Sequence, residues 1–209
     1  LNLIKEDLKF KIKNYDKIKI IAVSKTFPIE NILPLIEYGH LEYGENKVQE
    51  AINKWSNIKT KYPNIKLHLI GKLQTNKVKF AVKIFDYIHS VDSIKLAKKI
   101  ADEQNKIGKK IKIFVQVNIG NENQKTGISK NEVNQVVSYC KEIGLDLIGL
   151  MCIPPLNIDP ERYFEEMREL NKSLNFAELS MGMSSDFLIA VKCLSTYVRI
   201  GSSIFGQRS

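Results

Sequence analysis

Long uncharged hydrophobic runs are absent from this chain of 209 residues. No stretch of about 18 apolar residues free of charge occurs, which excludes an ordinary membrane-spanning helix. Residues 1–10 mix Lys5, Glu6, Asp7 and Lys9 with apolar side chains. They therefore favour an amphipathic helix over the continuous apolar segment of a signal peptide, and we expect no contact with a membrane.

Cysteine is also scarce. The three cysteines, Cys140, Cys152 and Cys193, form no C-x-x-C pair, and their odd number argues against a disulfide framework or a zinc site. We expect no bound metal, and a reducing cytoplasm is the simplest location for such a chain. Glu45 and His68 alone are too few ligands to predict a metal centre.

Arginine is rare in spite of a net charge of +9, because only four of the 32 basic residues are arginines and the rest are lysines. The lysines are spread along the whole chain, without a basic block or a stretch where aromatic and basic residues alternate. This pattern indicates solvated helix faces and argues against nucleic-acid binding. A binding module for RNA or a protein partner stays open as an alternative only because of the charge itself.

Short apolar runs alternate with longer amphipathic ones, and this pattern predicts eight strands with seven helices between them. The predicted strands cover residues 19–24, 40–43, 66–70, 87–91, 112–118, 147–151, 178–180 and 197–200. The predicted helices cover residues 29–38, 47–60, 76–83, 93–106, 130–143, 159–174 and 185–192. Ser129 with Glu132 forms a capping pair, and Gly39, Gly108 and Gly144 follow predicted helix ends.

The repeating strand–helix order predicts parallel strands joined by right-handed crossovers. An open doubly wound sheet satisfies this order, but eight units in about 200 residues fit a closed (β/α)8 barrel, a TIM barrel, better. A helix at residues 3–13 is expected to complete the outer ring, because few residues follow the last strand. We predict a single α/β domain over residues 1–209.

In such a barrel the ligand-binding face lies at the carboxyl ends of the strands. Lys25 directly follows the first predicted strand, so its amine is expected to be partly desolvated, with a lowered pKa and nucleophilic character. An amine of this kind condenses with an aldehyde to form a Schiff base, the chemistry that pyridoxal phosphate uses. The alternative is that Lys25 is one solvated surface lysine among many.

Two glycine–serine segments follow the seventh and eighth predicted strands. The first contains Gly182, Met183 and Ser184 just before a predicted helix, and the second contains Gly201 and Ser202. Backbone N–H groups at a helix start and close approach at glycine favour an anion, so the two segments predict a phosphate site. An ordinary helix cap and an ordinary turn remain the alternative for each segment.

Seven groups of motifs, in order from about residue 19 to residue 208, resemble those of one known family. They are IAVSKT at 21–26, YGENKVQE at 43–50, HLIGKLQTNK at 68–77, QVNI at 116–119 with KTGI at 125–128, GLM at 149–151, LSMGMS at 179–184 and VRIGSSIFG at 198–206. Together they are similar to the pyridoxal phosphate homeostasis proteins, which are related to the N-terminal barrel domain of alanine racemase.

The resemblance implies a barrel that holds pyridoxal 5′-phosphate as an aldimine on Lys25. It also implies further cofactor-binding residues, which are Asn46, Ser180, Gly182, Met183, Ser184, Arg199, Gly201 and Ser202. Arg199 is expected to donate to a phosphate oxygen or a ring nitrogen, with a structural salt bridge as the alternative. The implied role is a carrier or buffer in vitamin B6 homeostasis, with apoenzymes that use the cofactor as recipients and the protein a monomer.

The competing interpretation is a pyridoxal phosphate-dependent amino-acid racemase with weak activity. Racemisation needs a second acid–base group on the opposite face of the cofactor, which alanine racemase takes from another domain. We expect no second domain here and a cofactor face open to water, so we predict no efficient turnover and no catalytic residues. Lys125 is expected to add positive charge near the phosphate, or else to accept the cofactor transiently during release.

Overall fold

The computed structural model describes residues 1–12, 15–122, 126–156 and 158–207. Lys125, which the sequence places on the ligand-binding rim, lies outside the described residues, so the expectations about it stay predictions. None of the helices in the described ranges is both long enough and apolar enough to cross a bilayer.

Eight parallel strands form a closed barrel in which each strand pairs with the next and the last pairs with the first. The strands are β1 (Lys19–Val23), β2 (Glu42–Glu45), β3 (Lys66–Leu69), β4 (Tyr87–Val91), β5 (Lys112–Val117), β6 (Asp146–Cys152), β7 (Glu178–Met183) and β8 (Tyr197–Ile200). Ala22 of β1 lies beside Ile200 of β8 where the barrel closes. The prediction of a (β/α)8 barrel is confirmed.

Helices surround the barrel as an outer layer. They are α1 (Asn2–Lys11), α2 (Ile29–Glu37), α3 (Val48–Lys61), α4 (Val78–Ile84), α5 (Ile94–Lys106), α6 (Val133–Glu142), α7 (Glu161–Ser173), α8 (Phe187–Lys192) and α9 (Ser202–Phe205). Short 3₁₀ turns precede β1, α4 and α6, at Tyr15–Lys17, Thr75–Lys77 and Lys130–Glu132. The four-residue helix α9 follows β8, where the sequence predicts no helix.

Local sequence explains where several helices begin and end. Ser129 and Glu132 cap the turn before α6 reciprocally, and the Ser93 hydroxyl accepts a backbone N–H at the start of α5. Gly39 and Gly144 follow α2 and α6 with φ of +92° and +72°, a conformation that glycine adopts without steric cost. These boundaries agree with the capping pattern in the sequence.

Side chains fill the interior of the barrel. Alternate strand residues point inward, and one interior cluster consists of Ile21, Tyr87, Phe114, Met151 and Tyr197. The other strand residues point outward and pack beneath the helices in a larger apolar core. The strands are buried on both faces, and most of their residues are apolar, but buried polar side chains such as His68, His89 and Arg199 interrupt the pattern.

Helix α1 packs where the barrel closes. Its buried residues Ile4 and Leu8 contact the apolar cluster formed by Ile20 of β1, Val198 and Ile200 of β8, and residues of α8. This is the position that the helix of the last β/α unit would occupy. The expectation that an N-terminal helix completes the outer ring is therefore confirmed.

Two strands differ from the sequence prediction by more than one residue, and both affect the ligand-binding face. Strand β2 lies two residues further along the chain than predicted, because its register against β3 pairs Glu42 with Lys66. Strand β7 continues three residues beyond Ser180, with a register shift before Met183 pairs with Arg199 of β8. Helix α8 consequently begins two residues later than predicted.

Candidate functional site

A cavity of about 570 Å³ opens at the carboxyl ends of the strands. Seven of the nine predicted site residues line it, namely Lys25, Asn46, Met183, Ser184, Arg199, Gly201 and Ser202. The apolar side chains of Val23, Phe27, Ile70 and Ile153 also line it, as do Ser185, Gly206 and Gln207. A larger cavity of about 740 Å³ lies between α7, α8 and β7, and none of the predicted site residues lines it.

Lys25 is half-buried and follows β1 immediately after the fully buried Ser24. The next residue, Thr26, has φ of +68°, which is a strained conformation for a β-branched side chain. Its N–H donates to Glu50 Oε1 at 2.8 Å, and this contact helps to hold the turn. Strained backbone of this kind concentrates at functional sites, where the surrounding structure maintains it.

A buried ion pair supports the backbone just before Lys25. Glu45 Oε1 accepts hydrogen bonds from the Ser24 hydroxyl at 2.8 Å, from Lys54 Nζ at 2.9 Å and from Trp55 Nε1 at 2.9 Å. Lys54 also donates to the Ser24 carbonyl at 2.9 Å. Glu45 at the end of β2 and Lys54 of α3 thus each hold Ser24, the residue that precedes Lys25.

Asn46 reaches the cavity because the chain after β3 approaches it very closely. A Cβ atom on Gly71 would lie 2.5 Å from the Asn46 carbonyl oxygen, so only glycine allows this approach. Glu45, one residue before Asn46, faces outward to α3, whereas His68 lies inside the barrel. The two residues that the sequence considers as a metal pair therefore do not meet.

The two glycine–serine segments are joined directly. The Ser184 hydroxyl accepts the Gly201 N–H at 3.2 Å, and a Cβ atom on Gly201 would lie 3.4 Å from the Val23 carbonyl oxygen. The ends of β7, β8 and β1 are therefore in contact around the cavity. The Met183 N–H, by contrast, donates to the Asp186 carboxylate, so the expected set of free N–H groups at the start of α8 is smaller than the sequence suggests.

Gly182 and Ser180 lie behind the cavity wall. Gly182 has φ of +92°, and a Cβ atom there would lie 2.6 Å from Ala190 Cβ of α8. Its glycine identity thus permits strand β7 to pack against α8. The Ser180 hydroxyl is buried and accepts a hydrogen bond from Arg199 at 2.8 Å, so Ser180 acts on the cavity through that arginine.

Arg199 is a buried cation in the cavity wall, with only 4% of its surface exposed. Its guanidinium donates to the Ser180 hydroxyl and to the Cys152 carbonyl, each at 2.8 Å. Among the described residues no carboxylate lies within ion-pair distance of it, and burial lowers its pKa from the ordinary value. A buried guanidinium that has no carboxylate within ion-pair distance is stabilised when its remaining N–H groups donate to an acceptor atom. The adjacent cavity can hold a ligand that provides such an atom.

His89 is a residue of this region that the sequence interpretation missed. Its ring lies in the barrel interior between the Ser180 hydroxyl and the ring of His68, with nitrogen contacts of 2.9 Å on each side. His68 in turn contacts Glu42 Oε2 at 2.6 Å. Tyr87 and His89 alternate with Ile88 in β4, which places a polar ring on the inward face, and this was the available signal.

A family model described as "Alanine racemase, N-terminal domain" matches residues 6–209. Two relatives named pyridoxal phosphate homeostasis protein, from Haemophilus influenzae and Aquifex aeolicus, are 35% and 37% identical over 100% and 91% of this chain. The alignments cover 94% and 87% of those proteins.

Solved structures agree with these matches. The structures of PipY from Synechococcus elongatus without and with bound PLP superpose with TM-scores of 0.87 and 0.85, at 33% and 32% identity. Each match covers 96% of this chain and 97% of PipY. Alanine racemase from Clostridium difficile, at 17% identity and a TM-score of 0.72, shares the barrel fold over 55% of its length.

Proposed function

Because the chain belongs to the pyridoxal phosphate homeostasis proteins of the alanine racemase N-terminal domain family, we propose that its cavity binds pyridoxal 5′-phosphate. The proposed role is a carrier or buffer of this cofactor, with Lys25 as the residue that holds it covalently. Relatives with this name and a PipY structure with PLP bound support the proposal. Recipients of the cofactor would be apoenzymes that need it.

The observation that carries the proposal is the shared cavity of Lys25 and the two glycine–serine segments. Pyridoxal phosphate combines an aldehyde, an aromatic ring with a nitrogen acceptor, and a phosphate. The cavity offers an amine, an apolar wall with a buried guanidinium, and hydroxyl and backbone donors for these three parts. Its volume lies in the range of small-molecule sites, which is about 300–1,000 Å³.

Pyridoxal phosphate supplies an aldehyde that a deprotonated lysine amine attacks, and the product absorbs visible light. In the proposal Lys25 provides this amine, held in place by the buried contacts to Ser24. The Ser184 and Ser202 hydroxyls and the backbone N–H groups that follow Gly201 bind the phosphate, because the Gly201 N–H itself donates to Ser184. Met183 and Asn46 line the wall around the ring.

Arg199 is assigned to the ring nitrogen rather than to the phosphate. It lies on β8 two residues before Gly201, which directly follows the strand, so the two are about 7 Å apart along the chain. With the phosphate at Gly201, the buried guanidinium lies one layer deeper, where the ring would extend. Ser180 supports this arginine, and Gly182 supports the packing of the loop against α8.

Efficient amino-acid racemisation is not part of the proposal. Of the described residues that line the cavity, only Lys25 and Arg199 have ionisable side chains, and an arginine is a poor base at neutral pH. Exchange of the α-proton needs a second acid–base group opposite Lys25. The described wall provides no histidine, tyrosine or carboxylate for this task.

The first prediction concerns the covalent lysine. Protein mixed with pyridoxal phosphate and then dialysed is expected to be yellow, and borohydride should attach the cofactor to the peptide that contains Lys25. Lys25→Ala should be colourless, whereas Lys72→Ala, a lysine exposed on the same rim after β3, should keep the colour. A colourless wild type would refute cofactor binding, and a coloured Lys25→Ala would refute the assigned lysine.

The second prediction separates a carrier from a racemase. Cofactor-loaded protein incubated with L-alanine should form no more D-alanine than free pyridoxal phosphate and the Lys25→Ala variant do. Chiral chromatography measures both enantiomers. Formation of D-alanine that is lost in Lys25→Ala would overturn the carrier assignment in favour of the enzyme.

A further inference from the structure

A chain of hydrogen bonds crosses the barrel interior beneath the cavity. It begins at Arg199, and its other members, which we call the interior relay, are Ser180, His89, His68 and Glu42. The four contacts from Arg199 to Glu42 measure 2.8, 2.9, 2.9 and 2.6 Å. Glu42 is the first residue of β2, so the chain connects the amino-terminal end of the barrel with the cavity at the carboxyl end.

The donor and acceptor of each hydrogen bond can be assigned in turn, starting from the Glu42 carboxylate. Burial would raise the pKa of Glu42, but the bond from His68 and nearby positive charges bring it below the ordinary value, so the carboxylate is ionised and accepts. His68 must therefore carry hydrogen on Nε2. Burial lowers the pKa of His68, which leaves its ring neutral and its Nδ1 free to accept.

The same reasoning applies to His89. Its Nε2 must donate to His68 Nδ1, because that atom is an acceptor. Burial, reinforced by the neighbouring His68 and Arg199, lowers the pKa of His89 well below the ordinary value, so this ring is neutral as well. His89 Nδ1 then accepts the Ser180 hydroxyl hydrogen, and Ser180 Oγ accepts from Arg199 Nη1. Every donor points from the cavity toward Glu42.

The common direction of these hydrogen bonds strengthens the contact between Arg199 and the Ser180 hydroxyl. A hydroxyl that donates its hydrogen into a chain ending at a carboxylate is polarised, and it becomes a stronger acceptor for the guanidinium. Two guanidinium nitrogens are occupied by Ser180 and the Cys152 carbonyl, which fixes the plane of the group. The remaining N–H groups are then available to the cavity that Arg199 lines.

We propose that the interior relay is a set of positioning residues, which orients Arg199 so that it donates to an acceptor atom in the cavity. Given the proposed function, that acceptor is the ring nitrogen of pyridoxal phosphate. A remote carboxylate at the opposite end of the barrel would thereby influence how tightly the cofactor is held and how its ring absorbs light.

The first test examines the relay without cofactor. Nitrogen-15 spectra of the imidazole groups are expected to show His68 and His89 as neutral rings with hydrogen on Nε2 at neutral pH. The third histidine, His40, contacts the Glu42 carbonyl through Nε2 and is removed by His40→Gln to complete the assignment. A protonated ring, or hydrogen on Nδ1 of either histidine, would overturn the proposed direction.

The second test measures the effect on the cofactor. His89→Phe and Ser180→Ala are expected to bind pyridoxal phosphate about tenfold more weakly and to shift its absorption band, because Arg199 loses a polarised acceptor. His89→Asn keeps an acceptor for the Ser180 hydroxyl and should recover part of both effects. The control is Phe114→Leu, which perturbs the ring stacked on His89 at 4.3 Å without removing a hydrogen bond.

The outcomes separate this inference from the proposed function. If wild type, His89→Phe and Ser180→Ala all bind the cofactor equally and have the same absorption band, the relay does not position Arg199, although the carrier assignment stands. If Phe114→Leu weakens binding as much as His89→Phe does, packing rather than the relay is responsible. If wild type shows the expected tautomers but binds no cofactor, the proposed function fails and the direction of the relay stands.

Discussion

Glu45 is a carboxylate with no exposed surface, and it shows how single residues hold the end of β1. Its Oε1 atom accepts three hydrogen bonds, whereas Oε2 has no hydrogen-bond partner among the residues that the structure describes. The Lys54 ammonium, with only 9% of its side chain exposed, provides the compensating charge. A buried pair of this kind is costly to break, because the remaining charge keeps its full desolvation penalty.

Lys54→Met is therefore expected to destabilise the protein by about 3–5 kcal/mol, since it leaves the Glu45 carboxylate buried without a cation. Urea unfolding followed by circular dichroism measures the loss. Lys61→Met, at an exposed position of the same helix, serves as the control and should be close to neutral. Adding Glu45→Gln to Lys54→Met should restore part of the stability, and a double variant no better than the single one would contradict the explanation.

Elements that are buried on both faces were the easiest to predict. The bounds of β4 and β8 agree with the sequence pattern, because each buried, mainly apolar run ends where polar or glycine turn residues begin. The end of β7 was not predicted, because its last residues pair with β8 across a register shift. Pairing with a neighbouring strand extended β7 beyond its local pattern and shortened α8.

The later start of α8 changes which groups in the loop after β7 can donate hydrogen bonds to an anion. A helix that began at residue 185 would direct its N-terminal N–H groups at the cavity. Instead, α8 begins at Phe187, and the Asp186 carboxylate accepts the Met183 N–H. The donors in the proposed phosphate site are therefore hydroxyl groups and the backbone near Gly201 more than the end of α8.

Burial of two histidines inside the closed barrel makes the free energy of unfolding depend on pH. His68 and His89 are neutral in the folded state because burial lowers their pKa values, although Glu42 and Asp86 oppose the effect at His68 and Lys19 reinforces it. In the unfolded chain a histidine titrates near pH 6.5. Below that pH the unfolded chain binds protons that the folded protein does not, so stability falls as the pH falls.

We expect the free energy of unfolding of His89→Phe to fall about 1 kcal/mol less than that of wild type between pH 7 and pH 5.5. Urea unfolding at both pH values measures the difference. Phe114→Leu should lower stability at both pH values but keep the wild-type dependence. Equal pH dependence in wild type and His89→Phe would show that His89 is protonated in the folded protein. Glu42 should not contribute, because a carboxylate with a lowered pKa loses its stabilising effect only below about pH 4.

The fold and part of the candidate site were accessible from local patterns in the chain. Strand and helix periodicity implied the barrel, and a barrel implies that residues after the strands meet on one face. That reasoning predicts that Lys25, Ser184 and Gly201 lie close together, and the cavity contains all three. Local patterns suffice here because each unit of strand and helix repeats the same short-range rules.

The interior relay was not accessible in this way. His89 and Ser180 are separated by 91 residues, and their contact depends on the register of strands that lie on different sides of the barrel. The burial of Arg199, which has no carboxylate within ion-pair distance among the described residues, likewise emerges only when the barrel closes. The sequence specifies which side chains are present. Packing between strands that are distant in the sequence decides which of these side chains are desolvated together, and local periodicity carries no information about that packing.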